Sequence, residues 1–300
     1  MTKNKYLLHS IVILSLLFCS FIEGKGKSMW ILIHGTFAQE AAKVITRTGW
    51  WKPTHQFHKE LLASTNNATI HEFNWCGSNS HEKRIDAGKQ LADFIESTAS
   101  GNEKINIIGH SHGANVGILG AQELTIRKSN LKVSTLFALG VPVSNSYYPT
   151  SSHITKVYNF FSYADFVQPV ISLFKRVFPE EQHIHNLQVK INGSCPNHYS
   201  IHDPIIARYI PNMHNLIPNS KPHMIHFFNN KQPIITLDST REQDLRIDKD
   251  FTSSLITAFA ESKKHGCKTL TDISEQTKTR ILRLWDRGPV DSKPMPESKS

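Results

Sequence analysis

The sequence predicts an α/β fold, a mostly parallel sheet with helices on both faces, on two observations. The run Met29 to Ile33 is wholly apolar and ends in His34-Gly35-Thr36, the form of a buried strand leaving into a Gly turn. Beyond it, short apolar runs alternate with amphipathic segments over roughly 180 residues, and such alternation builds a parallel sheet with both faces covered.

In chain order, Thr69 to Trp75 reads as a second, weaker strand. Arg84 to Thr98 carries Ile85, Leu91, Phe94 and Ile95 at helical spacing with charges between them, which predicts an amphipathic helix. Lys104 to Ile108 predicts a strand, Ala114 to Arg127 a helix, and Lys132 to Leu139, Ile154 to Phe161 and Ile184 to Ile191 three more strands. After Pro211 Asn and Pro recur, and only Asp250 to Ser262 and Ser274 to Trp285 read as helical. From Gly288 the chain is rich in Pro, Ser and Lys, the composition of a disordered tail. The expected organisation is a leader at residues 1–24, a core at 28–211, a partly helical extension at 212–287 and a tail at 288–300.

With 39% apolar and 20% charged residues, the composition is that of an ordinary globular protein and excludes a wholly disordered or fibrous chain. The formal charge of +9 favours acidic surfaces. Because the basic residues scatter and do not interleave with aromatics, it reads as a solvated surface that leaves membrane-surface contact open, and no nucleic-acid partner is expected. Lys3 and Lys5 precede an apolar stretch from Tyr6 to Ile22, the pattern of a secretory signal. Both a cleaved leader and an uncleaved anchor fit it, so the chain is expected to be exported: secreted, periplasmic or membrane-anchored. Removing the leader with Cys19 leaves Cys76, Cys195 and Cys267, an odd number that requires a free thiol or an intermolecular bond.

Gly109-His110-Ser111-His112-Gly113 fits Gly-x-Ser-x-Gly, a pattern that arises by chance in roughly one chain in ten of this length, so its context must carry the reading. Ile105, Ile107 and Ile108 form the strand before it, and Ala114, Ile118, Ala121 and Leu124 mark the helix after it. A serine on so tight a strand-to-helix turn sits in strained backbone, and side chains at the flanking positions would collide with the neighbouring elements. The helix start behind it offers N–H groups where an oxyanion would form. Ser111 is therefore the candidate nucleophile.

On these residues the chain, from about Met29 to Pro211, resembles the α/β-hydrolase superfamily and, within it, lipase-like secreted serine esterases. The resemblance implies a Ser-His-Asp triad, an acyl-enzyme and an ester or lipid substrate, with no organic cofactor or metal. It implies an oxyanion hole from the backbone N–H of His112 and, in the His34-Gly35-Thr36-Phe37 loop, that of Thr36. The superfamily order Ser, acid, His directs attention to two later segments. Tyr158 to Val167 resembles the strand and loop carrying the acid and offers Asp165, whose other use would be to cap a following helix. Asn197-His198-Tyr199-Ser200-Ile201-His202-Asp203-Pro204 resembles the histidine loop and offers His198 as base, with His202 as its rival.

The same chemistry fits an acyltransferase with an alcohol acceptor, and a non-catalytic binding protein on a hydrolase scaffold is the alternative outside catalysis. His183 and His185 stand at alternate positions and would share a strand face, a pair that could bind a metal but more often lies at the surface. Trp75-Cys76-Gly77-Ser78-Asn79-Ser80 with Arg84, Ala87 and Leu91 also resembles a segment of the superfamily, with packing as its default use. Trp50 and Trp51 could line an acyl pocket or cover the core.

Overall fold

The computed structural model describes residues 27–36, 49–65, 68–165, 175–217, 223–229 and 231–237. These form an eight-stranded sheet: β1 (Ser28–Ile33), β2 (Thr69–Phe73), β3 (Lys104–His110), β4 (Val133–Leu139), β5 (Ile154–Phe161), β6 (Ile184–Ile191), β7 (His223–Phe228) and β8 (Lys231–Leu237). Their spatial order is β2-β1-β3-β4-β5-β6-β7-β8. Every neighbouring pair is parallel except β7 and β8 at the edge. The α/β-hydrolase architecture is thus present.

The apolar runs are continuous because both faces of each strand are covered. In β1, Met29, Ile31 and Ile33 enter one core cluster and Trp30 and Leu32 the other. The first cluster takes its helical half from α2 (His81–Thr98) and α3 (His112–Ile126), through Leu91, Ile95, Ile118 and Leu124. The second takes it from α1 (Gln56–Ser64), α4 (Pro204–Tyr209) and α5 (Met213–Leu216), through Phe57, Leu61, Ile206 and Met213.

Register brings the site together. Ile33 pairs with Gly109, His110 with Leu139, and Leu139 with Phe160, so β1, β3, β4 and β5 end side by side. Loops leaving one end of a parallel sheet converge there, the usual place for a ligand in this class.

Two features differ from the sequence expectation. Helix α2 starts a turn before Arg84, at His81, because the Ser80 hydroxyl accepts from Lys83 N at 3.4 Å and caps it. The sheet also continues past residue 211: β7 and β8 extend it to Leu237. Histidines interrupt the apolar pattern of β7, and Pro233, which has no N–H to give a ladder, argues against a strand but is tolerated on β8, an edge strand paired on one side only. The expected leader, the helical stretches Asp250 to Ser262 and Ser274 to Trp285, and the tail lie outside the described residues.

Candidate active site

Ser111 follows β3 at φ 53° and ψ −131°, a left-handed conformation that a side chain adopts only under strain. It occupies the N-cap position of α3, yet its hydroxyl makes no capping hydrogen bond. Serine at that position ordinarily uses its oxygen on the helix. The turn closes tightly: Ser111 N donates to Leu139 O at 2.9 Å. A Cβ at Gly109 would strike the backbone of Ala114, and one at Gly113 would strike the carbonyls of Ile33 and His34. Only glycine fits at either side.

The loop after β1 stands against this turn. A Cβ on Gly35 would lie 2.9 Å from Ser111 Cβ and 3.1 Å from the His110 carbonyl. Thr36, the next residue, is thereby held beside the serine, and its hydroxyl is buried with no hydrogen-bond partner among the described residues. The loop is fixed from behind, since Trp75 Nε1 donates to the His34 carbonyl at 2.8 Å and His34 Nδ1 donates to Gly35 O at 2.8 Å. Phe37 lies outside the described residues.

Asp165 and His198 meet across the ends of β5 and β6. Asp165 is fully buried and His198 is 5% exposed, and His198 Nδ1 donates to Asp165 Oδ2 at 2.8 Å. A carboxylate accepting at Nδ1 fixes the tautomer that leaves Nε2 as an acceptor. Gly140, at the end of β4 with φ +61°, makes room for the pair: a Cβ there would lie 2.9 Å from Asp165 Oδ2 and 3.4 Å from His198 Nδ1. The helix that Asp165 would alternatively cap lies outside the described residues.

His110, between the glycine and the serine, is a site residue that sequence reasoning missed. Its Nε2 donates to the His198 carbonyl at 2.8 Å, and the two rings lie 4.6 Å apart. His110 thus ties the Ser111 turn to the loop of His198. Nothing in the pentapeptide distinguishes it, because its position in Gly-x-Ser-x-Gly accepts many side chains. Among the described residues no hydrogen bond joins the Ser111 hydroxyl to His198, and such contacts commonly tighten only when substrate is bound.

His202 goes elsewhere. Its ring stacks on Trp50 with centroids 5.5 Å apart and meets His110 edge-on at 5.0 Å. Trp51 packs on His34 at 4.8 Å and donates to Asn74 Oδ1 at 3.2 Å, so the tryptophan pair covers the core and braces site histidines. Burial pulls the His202 imidazole down to about 3 and that of His34 to about 4, and it pushes His110 and His112 well below the ordinary histidine value. His112 accepts at Nδ1 from Asn115 Nδ2 at 3.0 Å, a bond that requires that nitrogen to be unprotonated.

His183 and His185 do not act as a pair. His183 Nε2 donates to the Pro149 carbonyl at 2.9 Å, whereas the His185 ring stacks on Tyr158 at 4.9 Å. Cys195 carries a free thiol, Cys76 is exposed, and Cys267 lies outside the described residues.

The family model described as "Protein of unknown function (DUF726)" matches residues 21–177, just over half of the chain. The chain belongs to this family. The match takes in the β1 loop, Ser111 and Asp165 of this DUF726 protein and ends before its histidine loop. No curated protein matches it. Among solved structures it is similar to a cutinase-like protein from Cryptococcus sp. at 16% identity and a TM-score of 0.27, over 39% of this chain and 54% of that one. The DUF726 chain therefore spans about half the length of that protein. It is also similar to a type II thioesterase of the yersiniabactin biosynthetic pathway, at 12% identity and 0.34 over 65% and 95%. An esterase from Pyrobaculum calidifontis matches at 14% and 0.33 over 69% and 68%. Likenesses this distant transfer no residue roles to the DUF726 chain.

Proposed function

We propose that the chain is a serine hydrolase of carboxylic esters. The observation that carries this reading is the buried hydrogen bond from His198 to Asp165 beside a serine held at positive φ with its hydroxyl unused by the helix. His198 Nε2 takes the Ser111 proton as the oxygen attacks the ester carbonyl, and Asp165 orients the ring and stabilises the imidazolium. The backbone N–H groups of Thr36 and His112 receive the developing oxyanion. Collapse expels the alcohol with the proton from His198 and leaves an acyl group on Ser111, and water activated by the same imidazole then releases the acid. No step calls for a metal or organic cofactor.

The chain is further proposed to act outside the cytoplasm. Lys3, Lys5 and the apolar run from Tyr6 to Ile22 motivate this, and the +9 charge suits an anionic membrane surface. The reading is tested by steady-state hydrolysis of p-nitrophenyl esters of increasing acyl length, in solution and on vesicles. The native chain turns over at least one of them and Ser111→Ala turns over none. Hydrolysis surviving intact in that variant excludes the reading.

A further inference from the structure

Arg84 is a buried cation without a counter-charge among the described residues. It is 7% exposed, its Nε donates to Tyr147 Oη at 2.8 Å and its Nη1 to Asn79 Oδ1 at 3.3 Å. Its guanidinium also lies 5.4 Å from the centre of the Tyr147 ring. All of these partners are neutral, and Tyr147 is spent as well on His81, at 2.7 Å from its Nδ1. Among the described residues no carboxylate pairs with Arg84 and nothing takes its Nη2. The exposed arginines show the opposite: Arg127 holds Asp93, Glu96 and Glu123, and Arg208 holds Glu60. Burying a guanidinium beside neutral groups alone is costly, and proteins rarely do so except where a charge is to be received.

A second polar group, on the loop that bonds Arg84 through Asn79, is also unsatisfied. Ser78, in the loop that carries Asn79, is 1% exposed and its hydroxyl has no partner among the described residues. The loop borders the site, because Trp75 at its start is bonded to the His34 carbonyl against which Gly113 is packed. The helices agree. α2 leads into β3 and α3 leads out of it, so both run against the parallel strands and hence alongside one another. They approach most closely where Gly88 meets Leu119 and Gly120. One turn back, Arg84 is level with Asn115, at the end of α3 that begins with His112. The Arg84 charge contributes, after burial, to holding the His112 imidazole neutral.

We propose that Arg84, with the Ser78 hydroxyl on the loop that bonds it through Asn79, is a specificity-determining residue that receives an anionic group, carboxylate or phosphate, carried by the ester substrate. The proposal rests on the hydrolase reading and adds a substrate class to it: acidic esters. A planar guanidinium with an unused edge suits either oxyanion, and the Ser78 hydroxyl adds a donor. It also gives the Trp75-to-Arg84 segment a use beyond packing.

Matched substrates test it. The carboxylate arm compares p-nitrophenyl butyrate with mono-p-nitrophenyl glutarate, and the phosphate arm compares monooleoylglycerol with oleoyl lysophosphatidate. The native chain is expected to favour the anionic member of at least one pair by about tenfold in kcat/KM, mainly through KM. The favoured arm identifies the source of the anion. In Arg84→Gln the anionic-to-neutral ratio falls by about tenfold, and Arg84→Lys recovers part of it. If Arg84 only staples α2 to Tyr147, both members decline together and the ratio stands, which overturns the proposal, as does a native chain with no anionic preference in either arm. A binding readout covers the case in which Arg84→Gln does not fold. Glutarate or inorganic phosphate raises the Tm of the full-length Ser111→Ala chain beyond sodium chloride of equal ionic strength, and equality with chloride counts against the site. Anion stabilisation without hydrolysis of any ester by the native chain would sink the hydrolase reading and leave the anion site standing.

Discussion

The ring of His202 lies parallel to that of Trp50 with centroids 5.5 Å apart, while His198, four residues earlier, gives its Nδ1 to Asp165. One imidazole is committed to packing and the other to a carboxylate. His198→Ala is therefore expected to lower kcat by several orders of magnitude, in line with the loss of a triad base. His202→Ala removes a stacked, half-buried ring and is expected to lower stability by about 1–3 kcal/mol while keeping most of kcat. Ester-hydrolysis kinetics and denaturant unfolding of the two variants check both outcomes. An inactive His202→Ala with an active His198→Ala would move the base to the other residue.

Gly140 lies against Asp165 and His198 at φ +61°. Gly140→Ala puts a methyl 2.9 Å from Asp165 Oδ2 and forces a side chain into left-handed backbone. The expected result is a loss of about 1–2 kcal/mol of stability from the backbone alone, and a fall in kcat larger than any change in KM, since the dyad is displaced and the substrate contacts are not. Parallel melting curves and kinetics measure the two effects separately.

Three buried histidines and the half-buried His202 make the fold acid-labile. In the unfolded chain each protonates near 6.5, but burial keeps His202 neutral down to about 3, His34 to about 4, and His110 and His112 well below their ordinary value. A depressed folded-state value gives stability that is complete above about 6.5 and is lost as pH falls toward the folded-state value. Stability should thus decline as pH falls below 6.5, by up to about 1.4 kcal/mol per pH unit for each of His34 and His202, with His110 and His112 acting in the same direction. Urea unfolding at pH 7.5, 6 and 5 measures the slope, which should be shallower in His202→Ala. A flat profile over that range would contradict the neutral, buried assignment.

The first described strand begins at Ser28, clear of the proposed leader. Deleting residues 1–24 is expected to leave a soluble chain with the melting temperature and esterase activity of the full-length protein. A truncated chain that fails to fold would make the leader part of the core and remove the argument for export.

What was legible in the sequence follows from what each element needs. β1, β3, β4, β5 and β6 are buried on both faces, so their continuous apolar runs stand out, and the glycines of the elbow are fixed by backbone collisions that no other residue avoids. β7 and β8 were hidden because His223, His226 and Pro233 break the apolar pattern; His226 and Pro233 take half-buried positions, and Pro233 lies on the edge strand β8. The start of α2 was hidden by a polar first turn, held by the Ser80 cap and not by apolar contacts. Asp165 and His198 could be named as candidates, but their contact spans 33 residues and is made by the pairing of β5 with β6. His110 carried no signal of its own, and Arg84 was legible only as part of the Trp75-to-Leu91 segment with packing as its default use, since the places of both are defined by the loops and helices folded around them.

The central claim is that Ser111 is a nucleophile activated by the Asp165–His198 pair. Its most direct test is to treat the folded full-length chain with a fluorophosphonate and locate the adduct by peptide mass spectrometry. A single adduct on Ser111, formed in the native chain, slowed by orders of magnitude in His198→Ala and absent after denaturation, is the predicted result. No labelling of Ser111 in a chain that hydrolyses esters, or labelling that proceeds equally fast without His198, would contradict it.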